Sequence, residues 1–302
     1  MSRKNRITFR GLAAAALLAA ISSLAPSLRA QAQPQFAPIM THALNGGVYW
    51  IEGGVGSNSG VVIGNDGVIV IDAKQTPESG KAVMAEIAKL TPKPVTHIIL
   101  THSNFDHTDG LPGFPKGVTI IAQDNCKKQM EHPRSSPSHV DLTGYMPTKT
   151  VGKKESMTID GVRFVLFHWA PAHTSGDLII YLPDQKVAFT GDITVMRLPY
   201  PLIHLEDDGS SAGWVESMKG IVALDADTYV PGHGNTQTKP VLEQRLMNTA
   251  ARRDKIKQLV AQGKSLDDIK KELGEATPLA GANPNFASFT EVVYKELTKS
   301  KS

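Results

Sequence analysis

The chain has 302 residues, of which 41% are apolar and 20% are charged. This ordinary balance excludes a disordered, collagen-like or low-complexity chain. A single cysteine cannot close an intramolecular disulfide, and it also excludes a metal site built from several cysteines. A chain of this length could form two domains, but α/β folds of this size often form one.

The first 32 residues have the layout of a secretory signal peptide. Four basic residues lie within the first ten positions, an Ala/Leu-rich run spans residues 11–25, and Ala30-Gln31-Ala32 is a small-x-small cleavage site. The apolar run is shorter than the roughly 20 residues of a membrane anchor, and the absence of an Arg-Arg pair favours general secretion over a twin-arginine route. We therefore expect a periplasmic or secreted protein that is not attached to a membrane after cleavage.

Removal of this segment changes the sign of the charge. Residues 1–32 contain five basic and no acidic side chains, which leaves 27 basic and 29 acidic residues, a formal charge of −2. A nucleic-acid partner is not expected, because the remaining chain lacks the basic surface that binds phosphates. The sequence leaves the oligomeric state open.

Short strands separated by turns are predicted from about residue 43. Asn65-Asp66-Gly67 is a hairpin signal, and a helix is predicted after it, capped by Thr76 with Pro77 at its first position. Apolar residues at 83, 87 and 90 lie on one face of this helix. Strands of this half are predicted at 48–51, 60–63, 68–71 and 95–101.

The second half repeats the pattern of strands followed by helices. Strands are predicted at 157–160, 162–168, 178–182, 187–190 and 228–230, and Trp214 and Met218 mark a helix. Further helices are predicted at about 238–262, 265–273 and 288–298. Two strand-rich halves predict two sheets packed face to face with helices outside. We expect one domain over 33–302, with a core at about 43–262 and a C-terminal helical extension at about 263–302.

Histidine and aspartate residues follow the ends of several predicted strands. Strand ends are where α/β folds place active sites. Imidazole and carboxylate ligands together suit zinc, and less specifically iron or manganese. The residues in question are His102, Asp106, His107, His173, Asp192 and His233.

The loop His102-Ser103-Asn104-Phe105-Asp106-His107 resembles the His-x-His-x-Asp-His motif of the metallo-β-lactamase superfamily. His173, Asp192 and His233 follow in the order of that family's later ligands, and Ile71-Asp72 corresponds to the family's early strand end. The resemblance covers residues from about 43 to 235. It implies a four-layer αβ/βα sandwich with one or two metal ions, and hydrolysis of a small-molecule ester, lactone, thioester, amide or phosphoester.

The resemblance also implies a role for each residue. His102 and His173 match the first metal site, whereas Asp106, His107 and His233 match the second, and Asp192 matches the carboxylate that bridges both. Asn104 replaces the second histidine of the motif, and an amide oxygen is a weaker zinc ligand than imidazole. We expect one tightly bound zinc ion and a second that is lost readily, with Asn104 either a ligand or a residue that only holds the loop.

The implied mechanism is attack on a carbonyl or phosphoryl centre by metal-activated hydroxide, with Asp106 orienting the nucleophile. Aspartate at position 192 resembles hydroxyacylglutathione hydrolases, lactonases and phosphoesterases more than lactamases, which usually have cysteine or serine there. Two alternatives remain, a β-lactamase and a non-catalytic metal-binding or accessory protein of the periplasm. Substrate selectivity is expected from loops such as 130–150 and 195–212.

Three further polar residues lie close to the motifs in the sequence. Asp72 is expected to be structural, because a carboxylate at a strand end can accept hydrogen bonds from loop backbone. His168 and His204 could line the pocket, but histidines that are hydrogen-bonded without binding metal are equally consistent with their positions.

Overall fold

A computed structural model describes residues 37–132, 140–275 and 286–299. The predicted signal peptide lies outside these residues. They contain twelve strands: β1 Ala37–Ala43, β2 Val48–Gly54, β3 Ser59–Ile63, β4 Val68–Ile71, β5 Val95–Ile99, β6 Thr119–Gln123, β7 Lys149–Val151, β8 Lys154–Ile159, β9 Val162–Phe167, β10 Ile179–Leu182, β11 Val187–Gly191 and β12 Thr228–Pro231. They also contain seven α-helices: α1 Pro77–Leu90, α2 Phe105–Thr108, α3 Asp124–Glu131, α4 Ser211–Ala223, α5 Lys239–Ala261, α6 Leu266–Glu272 and α7 Phe289–Thr298.

The strands form two sheets. The first has the order β1-β2-β3-β4-β5-β6-β7, antiparallel as far as β4 and parallel from β4 to β7. The second has the order β12-β11-β10-β9-β8, in which only β11 and β12 are parallel. Strands β4 and β5 are parallel, as are β11 and β12, so the carboxyl ends of each pair lie side by side. The loops that follow these four strands therefore begin close to one another within each pair.

Three apolar clusters define four layers. The cluster between the sheets contains Trp50 and Ile99 of the first sheet together with Phe164 and Ile180 of the second. A second cluster packs α1 and α3 onto the outer face of the first sheet, and a third packs α4 to α7 onto the outer face of the second. This arrangement is the predicted αβ/βα sandwich.

The C-terminal helices are joined to the rest of the second half by buried contacts. Ile269 of α6 and Val292 of α7 are fully buried in the cluster that also contains Trp214 of α4. At the start of α4, the Ser211 backbone N–H and hydroxyl donate hydrogen bonds to Glu296 of α7, the former over 2.6 Å. The neighbouring Ser210 N–H donates to the Ala172 carbonyl over 2.9 Å, so α7 is connected to the loop that follows β9.

Most predicted elements are confirmed, with small differences at their ends. The helix capped by Thr76 is α1, in which Thr76 Oγ1 accepts a hydrogen bond from the Ser79 N–H. The Asn65-Asp66-Gly67 turn joins β3 to β4 as an antiparallel hairpin. Strands β1, β6 and β7 and the short helix α2 were not predicted. Among the described residues, no helix has the length and apolar character needed to span a bilayer.

Candidate metal centre

Four loops, the first of which continues into α2, bring the predicted site residues together at one end of the two sheets. The β5–α2 loop and α2 carry His102, Asn104, Asp106 and His107, and the β9–β10 loop carries His173. Asp192 follows β11 directly, and His233 lies two residues after the end of β12. Their convergence follows from the parallel pairs β4/β5 and β11/β12, whose carboxyl ends lie on the same edge of the sandwich.

Two groups of three side chains present potential metal-binding atoms to one another. We call His102, His173 and Asp192 the first ligand group, and Asp106, His107 and His233 the second ligand group. Within each group the three donor atoms lie within 4.8 Å of one another. This spacing suits three ligands of one cation, since metal–ligand bonds of about 2.0–2.2 Å separate neighbouring donors by roughly 3–4 Å.

The Asp192 carboxylate lies between the two groups. Its Oδ1 is 3.2 Å from His107 Nε2, and its Oδ2 is 3.6 Å from His233 Nε2 and 3.8 Å from His173 Nε2. One carboxylate thus faces histidines of both groups, which is the geometry required of a bridging ligand. Asp106 completes the second group, with Oδ2 lying 2.9 Å from His233 Nε2.

Several buried atoms at the centre have no hydrogen-bond partner among the described residues. They include His102 Nε2, His107 Nε2 and Asp192 Oδ1. A buried polar atom without a partner is costly, and all three atoms belong to residue types that bind divalent cations. The donor set therefore fits a metal ion.

Gly232 supplies space for this close approach. A Cβ at this position would lie 2.1 Å from Asp192 Oδ1 and 2.7 Å from His107 Cε1. Any other residue at position 232 would push these two side chains apart. The glycine before His233 is thus required by the packing of the centre.

Hydrogen bonds fix the orientation of two histidine rings. His107 Nδ1 donates to Asp72 Oδ2 over 2.8 Å, and His173 Nδ1 donates to the Leu202 carbonyl over 2.9 Å. A proton on Nδ1 leaves the Nε2 lone pair directed into the centre, as a metal ligand requires. Asp72 also accepts from the Thr101 N–H over 2.8 Å, which confirms its predicted contact with loop backbone. Its second hydrogen bond, with His107, was not predicted.

Asn104 faces His173 through its amide oxygen. Asn104 Oδ1 lies 2.8 Å from His173 Nε2, and Asn104 Nδ2 donates to Asp207 Oδ2 over 3.4 Å. With the His173 proton on Nδ1, two lone pairs would face each other at this distance. A cation beside both atoms would remove that repulsion, so the geometry favours a ligand role for Asn104.

The surroundings shift the pKa values of three buried histidines of the centre in different directions. Burial lowers the pKa of His102 well below its ordinary value, and burial, with His204 nearby, lowers that of His173 to about 4. Burial also acts to lower the pKa of His107, but the carboxylates of Asp72, Asp192 and Asp106 raise it well above the ordinary value. The first group is therefore electrically neutral apart from Asp192, whereas the second lies in a negative environment.

The two aspartates of the centre are held ionised by the histidines. Burial acts to raise the pKa of Asp192, but His233, His107 and His173 lower it well below its ordinary value. Burial likewise acts to raise the pKa of Asp106, yet His107 and His233 lower it. Both carboxylates are thus charged and available to a cation at neutral pH.

Solvent reaches the centre from the side of the second ligand group. The Asp106 side chain is 23% exposed and that of Asp192 is 14% exposed, whereas those of His107 and His173 are almost fully buried. A substrate would approach over Asp106 and His233. Asp106 of the second group is thus the most exposed of the six His and Asp side chains.

All seven predicted site residues lie at this centre, and their roles as ligands stay a prediction. His204 also lies here, with its ring edge-on to His173 at a centroid distance of 4.7 Å and its Nδ1 2.7 Å from Glu206 Oε1. His168 instead faces backbone, with Nδ1 donating to the Asp177 carbonyl over 2.8 Å. Asn58 was not predicted as part of the site, because a single asparagine carries no recognisable motif, yet its side chain donates to the Pro231 and Gly234 carbonyl groups on either side of His233.

Comparison with known proteins agrees with this geometry. Residues 53–233 match the family model of the metallo-beta-lactamase superfamily. The chain is 28% identical over 195 residues to 2,4-dinitroanisole O-demethylase subunit alpha from Nocardioides sp. (strain JS1661). The aligned region covers 64% of this chain and 57% of that protein. The chain is also 23% identical over 266 residues to linear primary-alkylsulfatase from Pseudomonas sp. (strain ATCC 19151), and the aligned region covers 72% of this chain and 50% of that protein. The chain thus spans about half the length of these curated relatives.

A solved structure shows the same fold over its whole length. A metallo-beta-lactamase from Pontibacter korlensis superimposes with a TM-score of 0.59 at 17% identity, covering 70% of this chain and 99% of that one. This superposition confirms the predicted fold class. Because the family model matches more than half of the sequence, the chain belongs to the metallo-beta-lactamase superfamily.

Proposed function

We propose that this protein is a metal-dependent hydrolase of a small-molecule ester, lactone, thioester, amide or phosphoester. The observation that carries the proposal is the pair of ligand groups joined by Asp192, whose donor atoms converge although they come from distant parts of the chain. Hydrolases of the metallo-beta-lactamase superfamily are related to the chain. The names of the relatives add alkyl sulfate esters to the substrates worth testing.

In this proposal His102, Asn104, His173 and Asp192 hold one ion, and Asp106, His107, His233 and Asp192 hold the other. A bound divalent cation lowers the pKa of coordinated water toward about 7 and polarises a substrate oxygen. Asp106 is the most exposed carboxylate of the centre, so it is placed to accept a hydrogen bond from the attacking water and to orient it. Zinc is the proposed metal, with iron or manganese as alternatives.

The two groups are proposed to bind metal with unequal affinity. The second group offers a carboxylate and two imidazoles, whereas the first offers two imidazoles and a neutral amide besides the shared Asp192. A charged ligand holds a divalent cation more tightly than a neutral amide. We propose one tightly bound ion in the second group and a weaker one in the first.

Selectivity is proposed to come from the loop that follows α3. A cavity of about 350 Å³ adjoins α2 and is lined by Phe105 and Met130 together with Leu142, Thr143 and Met146. This volume is within the range of small-molecule sites. Its wall also contains the acidic residues Asp109, Glu131 and Asp141, so it favours a neutral or cationic substrate body over an anionic one.

The test combines metal analysis with a substrate panel. Protein purified without chelator is analysed for zinc, iron and manganese, then assayed on ester, lactone, thioester, phosphoester and alkyl sulfate substrates, and on nitrocefin for β-lactamase activity. We expect zinc-dependent turnover of at least one ester class and little turnover of nitrocefin. Bound metal without turnover of any substrate would favour the accessory-protein alternative.

The cellular location is proposed to be the periplasm or the medium. The support is the basic start, the Ala/Leu-rich run and the small-x-small site at residues 1–32. Fractionation of the native host with an antibody against the folded chain tests this. A full-length protein confined to the cytoplasm would contradict it.

A further inference from the structure

The loop between β2 and β3 is held in place by a buried lysine. Lys74 is fully buried, and its Nζ donates hydrogen bonds to the carbonyl oxygens of Ile51, Gly53 and Ser57 over 3.0, 3.1 and 2.6 Å. Three backbone acceptors satisfy the three N–H groups of the ammonium. The path of the chain from the end of β2 to residue 57 is thereby fixed.

This loop contacts the backbone of the second ligand group. The Ser57 N–H donates to the Asp106 carbonyl over 2.9 Å, and the Asn58 N–H donates to the Gly232 carbonyl over 2.6 Å. At Gly56, whose φ is +101°, a Cβ would lie 2.5 Å from the Asp106 carbonyl oxygen. The β2–β3 loop therefore packs directly against the backbone at Asp106 and at Gly232, the residue before His233.

The Asn58 side chain adds two bonds on either side of His233. Its Nδ2 donates to the Pro231 carbonyl over 3.0 Å and to the Gly234 carbonyl over 2.8 Å, and the residue is 8% exposed. Together with the backbone bond to Gly232, one residue binds three of the four carbonyl groups from Pro231 to Gly234. A primary amide is suited to this task because one nitrogen carries two N–H donors.

We propose that Asn58 is a positioning residue for His233 and thereby sets the metal affinity of the second ligand group. The inference rests on the proposal that this group binds a metal ion. Asn58 contacts none of the ligand side chains through these bonds, and it acts through the backbone of the loop that carries His233. Its effect is expected to be largest in the second group, because among the described residues it donates hydrogen bonds to the 231–234 loop that carries His233.

The first ligand group has a comparable support that serves as a matched control. Asn125 Nδ2 donates to the Ser175 carbonyl over 3.0 Å, in the loop that carries His173. Asn125→Ala and Asn58→Ala each remove an amide that holds a ligand-bearing loop. The two variants should therefore weaken different groups.

The experiment titrates Zn²⁺ into full-length wild type, Asn58→Ala and Asn125→Ala in competition with a chromophoric chelator. We expect Asn58→Ala to weaken the tighter site by about 10–100-fold, the usual effect of losing a residue that orients a ligand. Asn125→Ala should leave that site within about threefold of wild type. Wild-type affinity of the tighter site in Asn58→Ala would overturn the inference.

A second readout uses the metal-free protein. The imidazole NMR signals of His233 should shift in Asn58→Ala, because the Asn58 hydrogen bonds to the 231–234 loop do not require a metal ion. Those of His102, which lies on another loop, should stay in place. If Asn58→Ala does not fold, Asn58→Asp tests the same point, since it keeps the volume but places a carboxylate against two carbonyl oxygens. Unmoved His233 signals in the folded variant would overturn the inference. Failure of wild type to bind zinc, iron or manganese would instead overturn the proposed function and the inference with it.

Discussion

The two ligand groups differ in charge and in exposure, although both contain two histidines. In the first group His102 and His173 are 1% exposed and the nearest additional oxygen is the Asn104 amide. In the second group Asp106 is partly exposed, and Asp72 lies behind His107. The pKa of His173 is consequently lowered to about 4, whereas that of His107 is raised well above its ordinary value.

Under the proposed function, this difference would give one scaffold two cation sites of different strength. The second group concentrates negative charge around a cation, and its partial exposure allows a substrate to reach it. The two histidines of the first group are buried and neutral, so Asp192 supplies the negative charge of that group. The following variants either remove the difference between the groups or isolate one of them.

Asp192→Asn is expected to have the largest effect, because it removes the only carboxylate that both groups share. Both sites should lose metal, and the activity found in the substrate panel should fall by about 10³-fold or more, since a catalytic metal contributes several kcal/mol. Metal content after gel filtration and initial rates measure this. Asp184→Asn, which alters an exposed carboxylate paired with Arg163, is the control. Two bound ions per chain in Asp192→Asn would contradict the bridging role.

Asp72→Asn isolates the second group. Loss of the carboxylate that accepts from His107 Nδ1 should weaken zinc at the second group by about 10–100-fold and leave the first unchanged. Chelator competition measures both sites. Asp160→Asn is the control, because Asp160 likewise accepts from backbone N–H groups. Asp160 lies in the β8–β9 turn and accepts from Asp66 and Gly67 of the β3–β4 turn. An equal effect of the two variants on zinc would show that Asp72 is merely structural.

Asn104→His reduces the difference between the groups by adding an imidazole to the first. We expect zinc there to bind at least about tenfold more tightly, because imidazole is a better zinc ligand than an amide. Zinc titration and the substrate panel are measured together. Higher activity would identify a weakened catalyst, and lower activity would show that asparagine belongs to a working site. Unchanged zinc affinity would contradict a ligand role for position 104.

Asp177→Asn probes the support of the first group through pH. Asp177 accepts from the Ala172 and Thr174 N–H groups and the Thr174 hydroxyl, yet burial raises its pKa from 3.8 to about 7. A carboxyl whose pKa is raised on folding binds protons more tightly in the folded state, so wild-type stability falls as pH rises from about 4 to 7. Asp177→Asn should lack this component, which is on the order of 4 kcal/mol in the free energy of unfolding for a pKa that rises from 3.8 to about 7.

Urea unfolding of metal-free wild type and Asp177→Asn at several pH values between 4 and 8 measures that component. The difference between the two proteins cancels the titration of the histidines that they share. Parallel curves would show that Asp177 does not titrate in this interval.

The sequence predicted the centre well because each of its residues follows an apolar strand. His102, Asp192 and His233 could be recognised in this way from neighbouring residues alone. The residues that hold these side chains in place could not be recognised from the sequence. Asn58 donates to carbonyl groups 173 and 176 positions away, and Lys74 donates to backbone carbonyl groups, which every residue has. Such contacts depend on loop paths that no local pattern encodes.

The missed strands have similar explanations. β7 has only three residues, and β1 lies at the edge of its sheet with mostly exposed or half-buried residues. Neither therefore shows the apolar run that marks β4 or β11. β6 is an apolar run, but its neighbours are parallel strands that only the complete sheet reveals.

The bond between Glu296 and Ser211 has a consequence for where the functional unit ends. Through Ser210 and Ala172 it connects the last described helix to the loop of His173. The stretch recognised by the family model stops at residue 233, before α5 begins. A protein shortened to that stretch would keep all seven residues of the centre but would lack α5 to α7, so Ser211 at the start of α4 would lose its hydrogen-bond partner Glu296.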